Sequence, residues 1–327
     1  MTQYIKGYLY GIIPWRQMDV DIVTVPAIIC LSMTFCGQPC RSTIRCRPSP
    51  STLKYAFPHP VYMESKPSVL MTAVRSKRPL VHHITNYVTV NDCANICICS
   101  GGSPVMTDAL EDVVDMVSVA DALVLNIGTL NTRVNRSMLT AGKVAREHGV
   151  PIVLDPVGIG ATPFRTSTVL EIIRRVRPDV IKGNQGEMGV LSGIGGDVKG
   201  VDSQGASGDM AEIVRSIADK CGCVAAATGV CDHVSDGDSV VRLSNGHDLL
   251  GAVTGTGCMV SSVVGCYVAI GQPSVDSVSA AISAFNISAE YAARASNGPG
   301  TFKPALLDAM YNLSSADLDS GIRREML

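Results

Sequence analysis

Pro151-Ile152-Val153-Leu154-Asp155-Pro156-Val157-Gly158 begins as a short apolar run and ends on a carboxylate, a proline and a glycine. A run this short and apolar at successive positions reads as a strand covered on both faces, and its polar end as the point where the chain leaves the sheet. The pattern recurs in Ala122-Leu123-Val124-Leu125-Asn126, Val180-Ile181-Lys182-Gly183-Asn184 and Val224-Ala225-Ala226-Ala227-Thr228-Gly229. Between these runs, residues 137–148 and 166–176 carry the spacing of amphipathic helices. Strand and helix in alternation predict an α/β fold, a central, mostly parallel sheet wound with helices on both faces. Asn126, Asp155, Lys182 and Thr228 then fall at the C-terminal rim of the sheet, the edge where open α/β sheets bind ligands. Ordinary turn chemistry is the competing account of such polar strand ends.

Composition narrows the function classes. The net charge of −2 and an aromatic content of 5% leave neither a basic stripe nor a stacking platform, which excludes nucleic acid as the expected partner. Mean hydropathy is +0.25, yet no apolar run reaches the ~18 residues of a membrane span, so no membrane partner is expected. The twelve cysteines are scattered, and Cys97, Cys99, Cys258 and Cys266 stand among apolar neighbours, as small core residues in a reducing, cytoplasmic setting do. Cys30, Cys36, Cys40 and Cys46 lack the paired spacing that zinc favours.

Residues 1–68 differ from the rest. They hold seven Lys or Arg against three acids and show no sustained period, and the apolar patch from Ile22 to Phe35 is broken by Pro26. They are read as an N-terminal extension with little fixed structure. Arg41, Arg45 and Arg47 among Ser and Thr have the composition of an organellar transit peptide, which is the alternative to a cytoplasmic location. The regular body is expected over residues 69–327.

The segment Val253-Thr254-Gly255-Thr256-Gly257-Cys258 runs straight into the apolar stretch Met259 to Gly265. Two glycines permit a tight turn into a buried helix whose first N–H groups lack partners, so Gly255, Thr256, Gly257 and Cys258 are predicted to form an anion hole. A thiol in that position is expected to have a lowered pKa. Asp155 and Glu187, at the ends of neighbouring strands, are candidate Mg²⁺ holders, partly through water. Asp-Pro also starts turns, and Glu187 could equally open the following helix. Lys182 offers positive charge to phosphate oxygens, or snorkels at the surface. Anion hole, divalent metal and lysine together describe phosphoryl transfer, and the absence of GxxxxGK[ST] excludes the P-loop class.

Residues 79–315 resemble the hydroxyethylthiazole kinase family, thiamin-salvage enzymes of the ribokinase-like fold. The resemblance rests on Val81-His82-His83-Ile84-Thr85-Asn86-Tyr87-Val88, Cys93-Ala94-Asn95, Gly101-Gly102-Ser103-Pro104-Val105-Met106, Asn126-Ile127-Gly128-Thr129-Leu130, Asp155-Pro156-Val157-Gly158, Lys182-Gly183-Asn184, Thr228-Gly229 and Gly255-Thr256-Gly257-Cys258, in that order. It implies transfer of a phosphoryl group from ATP, with Mg²⁺, to the hydroxyethyl group of 4-methyl-5-(2-hydroxyethyl)thiazole. It further implies that Met106 and Gly255 bind the substrate, that Lys182 and Thr228 contact the nucleotide, that Asp155 and Glu187 lie near the metal, and that Cys258 is the catalytic base. A homotrimer with active sites between subunits follows from the same resemblance. Two positions depart from pattern: Lys182 stands where the family usually has arginine, and Cys258 where many ribokinase-like kinases have aspartate. The alternatives are a kinase of another small primary alcohol and a catalytically silent thiazole- or nucleotide-binding protein.

Overall fold

The computed structural model describes residues 66–193, 209–270 and 272–327. The expectations for the N-terminal extension, except at residues 66–68, and for Cys30, Cys36, Cys40 and Cys46 fall outside them. The strands are β1 (Leu80–Ile84), β2 (Ser103–Met106), β3 (Ala122–Asn126), β4 (Ile152–Asp155), β5 (Val180–Asn184), β6 (Val224–Thr228), β7 (Asp232–Ser235), β8 (Val240–Leu243) and β9 (Arg324–Met326). The helices are α1 (Pro67–Lys77), α2 (Val90–Ser100), α3 (Val113–Val119), α4 (Thr132–His148), α5 (Pro163–Val176), α6 (Gln185–Gly193), α7 (Met210–Cys221), α8 (Thr256–Val268), α9 (Val275–Arg294), α10 (Pro299–Asn312) and α11 (Ser315–Gly321).

The strands form one sheet in the order β2-β1-β3-β4-β5-β6-β7-β8-β9. From β2 to β6 every pairing is parallel, and β6 through β9 pair antiparallel, so the mostly parallel expectation holds with an antiparallel edge added. The predicted boundary between residues 68 and 69 falls inside α1, whose Ser68 donates from its backbone N–H and its Oγ to Asp319 on α11. Helices α4 and α5 begin earlier than their apolar spacing suggests. Asn131 and Thr162 cap their first turns, accepting from the Val134 and Arg165 amides, and capping sets a helix start independently of the apolar face. Among the described residues no helix is long and apolar enough to cross a membrane.

Two cores lie on opposite faces of the sheet. Val81, Val124, Val153, Val180 and Ala226 pack into the core that contains α8 and α9. Leu123, Leu125, Leu154, Ile181 and Ala225 pack into the core with residues of α4, α5 and α7. Side chains alternate faces along a strand, so Asn126, Asp155 and Lys182, each two residues beyond a valine of the first core, point to the face that α8 covers. Register adds to this: Asn126 pairs directly with Asp155, and Leu154 with Ile181, one step before Asp155 and Lys182. Every α8 residue from Met259 to Val268 is buried, as an all-round apolar helix requires. Gly265 lets α8 lie close on the sheet, because a Cβ there would come within 2.7 Å of Val124 Cγ2 and 3.0 Å of Val81 Cγ1.

Candidate active site

The N-terminus of α8 stands over the ends of β3, β4 and β5. Its N-cap, Gly255, has φ of 87°, a left-handed conformation suited to glycine. A Cβ there would lie 2.3 Å from Thr89 Cγ2, so Thr89 packs against the turn where a side chain would stand. Glycine offers no capping side chain, and Met259 N is the first α8 amide to bond back to Gly255 O, at 2.9 Å. The amides of Thr256, Gly257 and Cys258 precede it in the chain. Among the described residues these three amides have no hydrogen-bond acceptor, and they lie at the positive end of the helix dipole.

Beneath this turn lies a buried ion pair. Lys182 Nζ is 3.3 Å from Asp155 Oδ2 and donates to Gly257 O at 2.9 Å, with side-chain exposures of 2% for the lysine and 1% for the aspartate. The lysine neither reaches out at the rim nor snorkels, as the sequence reading had it; it is held under the first turn of α8. Burial works against its charge, but Asp155, the Cys258 thiol and Glu187 outweigh that and hold its pKa above the ordinary lysine value. Asp155 Oδ2 also accepts from Asn126 Nδ2 at 2.9 Å and Ser261 Oγ at 2.7 Å.

Cys258 is half-buried, and its Sγ accepts from Asn126 Nδ2 at 3.2 Å and Asn86 Nδ2 at 3.3 Å. The expected lowering of its pKa does not occur. Burial pushes the thiol up and the Asp155 charge adds to it, outweighing Lys182, Thr89 and Asn126, which pull the other way. The helix terminus alone therefore does not set the acidity of this thiol.

Glu187 opens helix α6. Its Oε2 accepts the Asn184 amide at 2.8 Å while Asn184 Oδ1 accepts the Glu187 amide at 2.9 Å, a reciprocal cap that opens α6. Its Oε1 accepts the Gly158 amide at 2.8 Å. Burial and the Asp155 charge raise its pKa against the pull of these amides and Lys182. Among the described residues no three or more His, Cys, Asp or Glu side chains gather into a metal cluster.

Thr228 closes β6 opposite Asn184 and donates to Gly183 O at 3.3 Å. With Gly257, Leu250, Phe285 and Asp232 it lines a cavity of about 660 Å³ that begins at the first turn of α8; Lys182 is not part of its lining. Asp232 is buried in that wall, where desolvation raises its carboxyl to about 6 against the donors Gly229 and Asn286. Met106 stands apart. It ends the edge strand β2, with β1 and β3 between it and β4, about 14 Å away at ordinary strand spacing. The fold thus gathers Cys258, Gly255, Thr256, Gly257, Asp155 and Lys182 at one end of α8, with Glu187 and Thr228 beside them, and places Met106 on the edge strand that pairs with β1, the strand leading to Asn86.

Asn86, Ser261 and Arg165 were not singled out from the sequence. Ser261 follows Cys258 by three positions on a helix, a spacing that signals a shared face. Arg165 donates to the carbonyls of Ile127, Gly128 and Val157, tying together the loops after β3 and β4. No local pattern marks it, because its partners are backbone atoms.

The sequence pattern of the hydroxyethylthiazole kinase family matches residues 71–316. A hydroxyethylthiazole kinase of Methanocella arvoryzae is 49% identical over 256 residues, 78% of this chain and 96% of that protein. The solved structure of a hydroxyethylthiazole kinase protein from Pyrococcus horikoshii OT3 superposes with a TM-score of 0.75 at 40% identity, covering 80% of this chain and 98% of that one. A ribokinase-like superfamily protein of Enterococcus faecalis V583 shares the fold at 14% identity, with a TM-score of 0.56 over 74% of this chain and 89% of its own.

Proposed function

The chain belongs to the hydroxyethylthiazole kinase family, and we propose that it transfers the γ-phosphoryl group of ATP to the primary hydroxyl of 4-methyl-5-(2-hydroxyethyl)thiazole, yielding the thiazole phosphate and ADP. One observation carries the mechanism: Cys258 Sγ stands at the amide-lined start of α8, where the 660 Å³ cavity begins, beside a buried Lys182–Asp155 pair.

The cavity takes the nucleotide, with Thr228 and Gly257 in its wall. The amides of Thr256, Gly257 and Cys258 hold the phosphoryl oxygens as charge develops on them, the kind of preorganised stabilisation that supplies much of the acceleration in phosphoryl transfer. Lys182 adds positive charge from below, shared with Asp155. Cys258 accepts the proton of the attacking hydroxyl in its thiolate form, a minor form because burial and the Asp155 charge push the thiol up.

Asp155 and Glu187 suit a hydrated magnesium ion rather than one stripped of water. Each accepts donors already, yet each keeps further lone pairs, and the raised pKa of Glu187 beside Asp155 marks negative charge that a cation would relieve. Asp155 and Glu187 would hold the ion, which would supply positive charge against the transferring phosphates.

Met106 and Gly255 contact the thiazole from different subunits of a homotrimer. The place of Met106 on the sheet's edge strand supports this, as does the exposure of Tyr87 (78%) and Val88 (59%) after β1. An active monomer in light scattering would remove the trimer from the account. The kinase body runs to residue 327 from the start of α1 at Pro67, two residues ahead of the expected boundary, with the residues before it as an extension, a reading supported by the family match at 71–316.

The function is tested by coupled ADP release with ATP, Mg²⁺ and hydroxyethylthiazole, omitting each component in turn. Turnover is expected only with all three. Cys258→Ala is expected to lower kcat by about a hundredfold, the low end of general-base contributions, and Cys258→Asp to retain turnover, since a carboxylate also accepts from Asn86 and Asn126. An unchanged Ala variant would reduce Cys258 to packing. Binding without turnover in a folded protein would favour the silent binding-protein reading.

A further inference from the structure

Asn126 uses all four hydrogen-bonding positions of its carboxamide. Oδ1 accepts from the Gly128 backbone N–H at 2.9 Å and from Asn86 Nδ2 at 3.0 Å, while Nδ2 donates to Asp155 Oδ2 at 2.9 Å and to Cys258 Sγ at 3.2 Å. A backbone amide only donates, so the atom facing Gly128 N must be the oxygen, and the NH₂ group is thereby turned toward Asp155 and the sulfur. Asn86 is locked by the same logic. Its Oδ1 accepts the Thr89 amide at 3.1 Å and the Thr89 hydroxyl at 3.0 Å, which leaves Nδ2 for Asn126 Oδ1 and for Cys258 Sγ at 3.3 Å. Both carboxamides are buried, so no solvent competes for these positions.

We infer that Asn126, together with Asn86, is a positioning residue that makes the Cys258 sulfur a hydrogen-bond acceptor and so favours its thiolate, the form that takes the proton of the substrate alcohol. The inference rests on the kinase reading above. In the step it serves, the alcohol O–H bond breaks with its proton passing to Sγ, the alcohol oxygen forms a bond to the γ-phosphorus, and the bond from that phosphorus to ADP breaks. A sulfur surrounded only by apolar atoms would keep its own proton; N–H donors aimed at it stabilise the charged form. The other groups acting on the sulfur are Asp155 on β4, Lys182 on β5, Thr89 before α2 and Cys93 on α2. Asp155 opposes the thiolate and Lys182 supports it. Asn126 is the residue that bonds both the sulfur and Asp155, and it keeps a donor between the two negative groups.

The test separates this role from general support of the fold. Cys258 in wild type, Asn126→Leu and Asn126→Asp is alkylated with iodoacetamide and the modified peptide followed by mass spectrometry, a readout that needs no turnover. The rate is expected to fall by roughly tenfold in both variants, the worth of one hydrogen bond to a charged group, and an unchanged rate overturns the inference. Asn126→Asp keeps the size and the acceptor for Gly128 N, and answers the question if the leucine variant does not fold. In the coupled assay, kcat is expected to fall by a similar factor with the KM for ATP and thiazole little changed. The same substitution in a Cys258→Ala background is expected to cost nothing further, since a residue acting through the sulfur has nothing left to act on. Equal losses in both backgrounds would mean that Asn126 acts through Asp155 and would overturn the inference. A Cys258→Ala enzyme as fast as wild type would remove the base role instead and leave the alkylation rates to decide whether Asn126 conditions the sulfur.

Discussion

Asp155→Asn is expected to lower kcat by about a thousandfold in the coupled assay while the protein still folds, a loss at the upper end for removing one preorganised electrostatic contact. The expectation follows from what Oδ2 does. It accepts from Asn126, Ser261 and Lys182, each on a different element, and so ties the ends of β3 and β5 to the second turn of α8. An asparagine oxygen can still accept from Asn126 and Ser261, so local packing survives. What it cannot supply is the negative charge. Lys182 would remain buried under α8 with only the Gly257 carbonyl as partner, and the magnesium reading would lose one of its two carboxylates. Stripping one partner from a buried ion pair costs about 3–5 kcal/mol, which urea denaturation would register as a lower midpoint. A variant whose kcat stays within tenfold of wild type at saturating Mg²⁺ would remove Asp155 from the phosphoryl-transfer machinery.

The parallel half of the sheet was legible because its strands are covered on both faces, which forces runs such as Ala122 to Leu125 and Ile152 to Leu154 to be apolar throughout. The antiparallel edge was not. Asp232–Ser235 and Val240–Leu243 are four residues each and contain Asp, His, Ser and Arg, so neither continuity nor clean alternation marks them. Strand β2, Ser103-Pro104-Val105-Met106, hid for a related reason: a proline in an edge strand is tolerated but argues against strand when read locally. The helix after the glycines was plain from its unbroken apolar run.

The site was legible by position more than by state. Asn126, Asp155 and Lys182 were expected on one rim, and strand alternation turns all three toward α8. Burial is what the residues did not announce. A lysine after two apolar residues looks the same whether its ammonium reaches solvent or lies under a helix, and the answer depends on Gly257 O and Asp155 meeting it from elements far along the chain. The same long-range dependence explains Cys258, whose local setting at a helix start predicts a lowered pKa and whose neighbours across the sheet raise it. Glu187 was the reverse case. Its capping role lies within the tetrapeptide Asn184-Gln185-Gly186-Glu187, which carries the Asn-x-x-Glu spacing of a reciprocal cap.

Lys182→Met and Asp155→Asn, made singly and together, are expected to separate the stability of the ion pair from its use. Lys182→Met leaves the Asp155 carboxylate buried with neutral donors only, and is expected to cost a few kcal/mol, as Asp155→Asn does by stranding the lysine. Combining them removes both charges. The double variant then has no uncompensated ion to bury, so its loss should fall short of the sum of the singles by about 2–4 kcal/mol. Turnover should not follow that recovery, because neither the cation beneath the α8 amides nor the carboxylate is restored. The measurements are urea midpoints for the three variants beside kcat in the coupled assay. Additive losses of stability would mean that the 3.3 Å approach of Lys182 Nζ to Asp155 Oδ2 carries little energy in solution. A double variant that regained both stability and turnover would make the pair a structural element of the rim. Stability regained without turnover is the expected result, and it would explain why a fold that gains from apolar residues here keeps two buried charges: phosphoryl transfer would require them where the sheet does not.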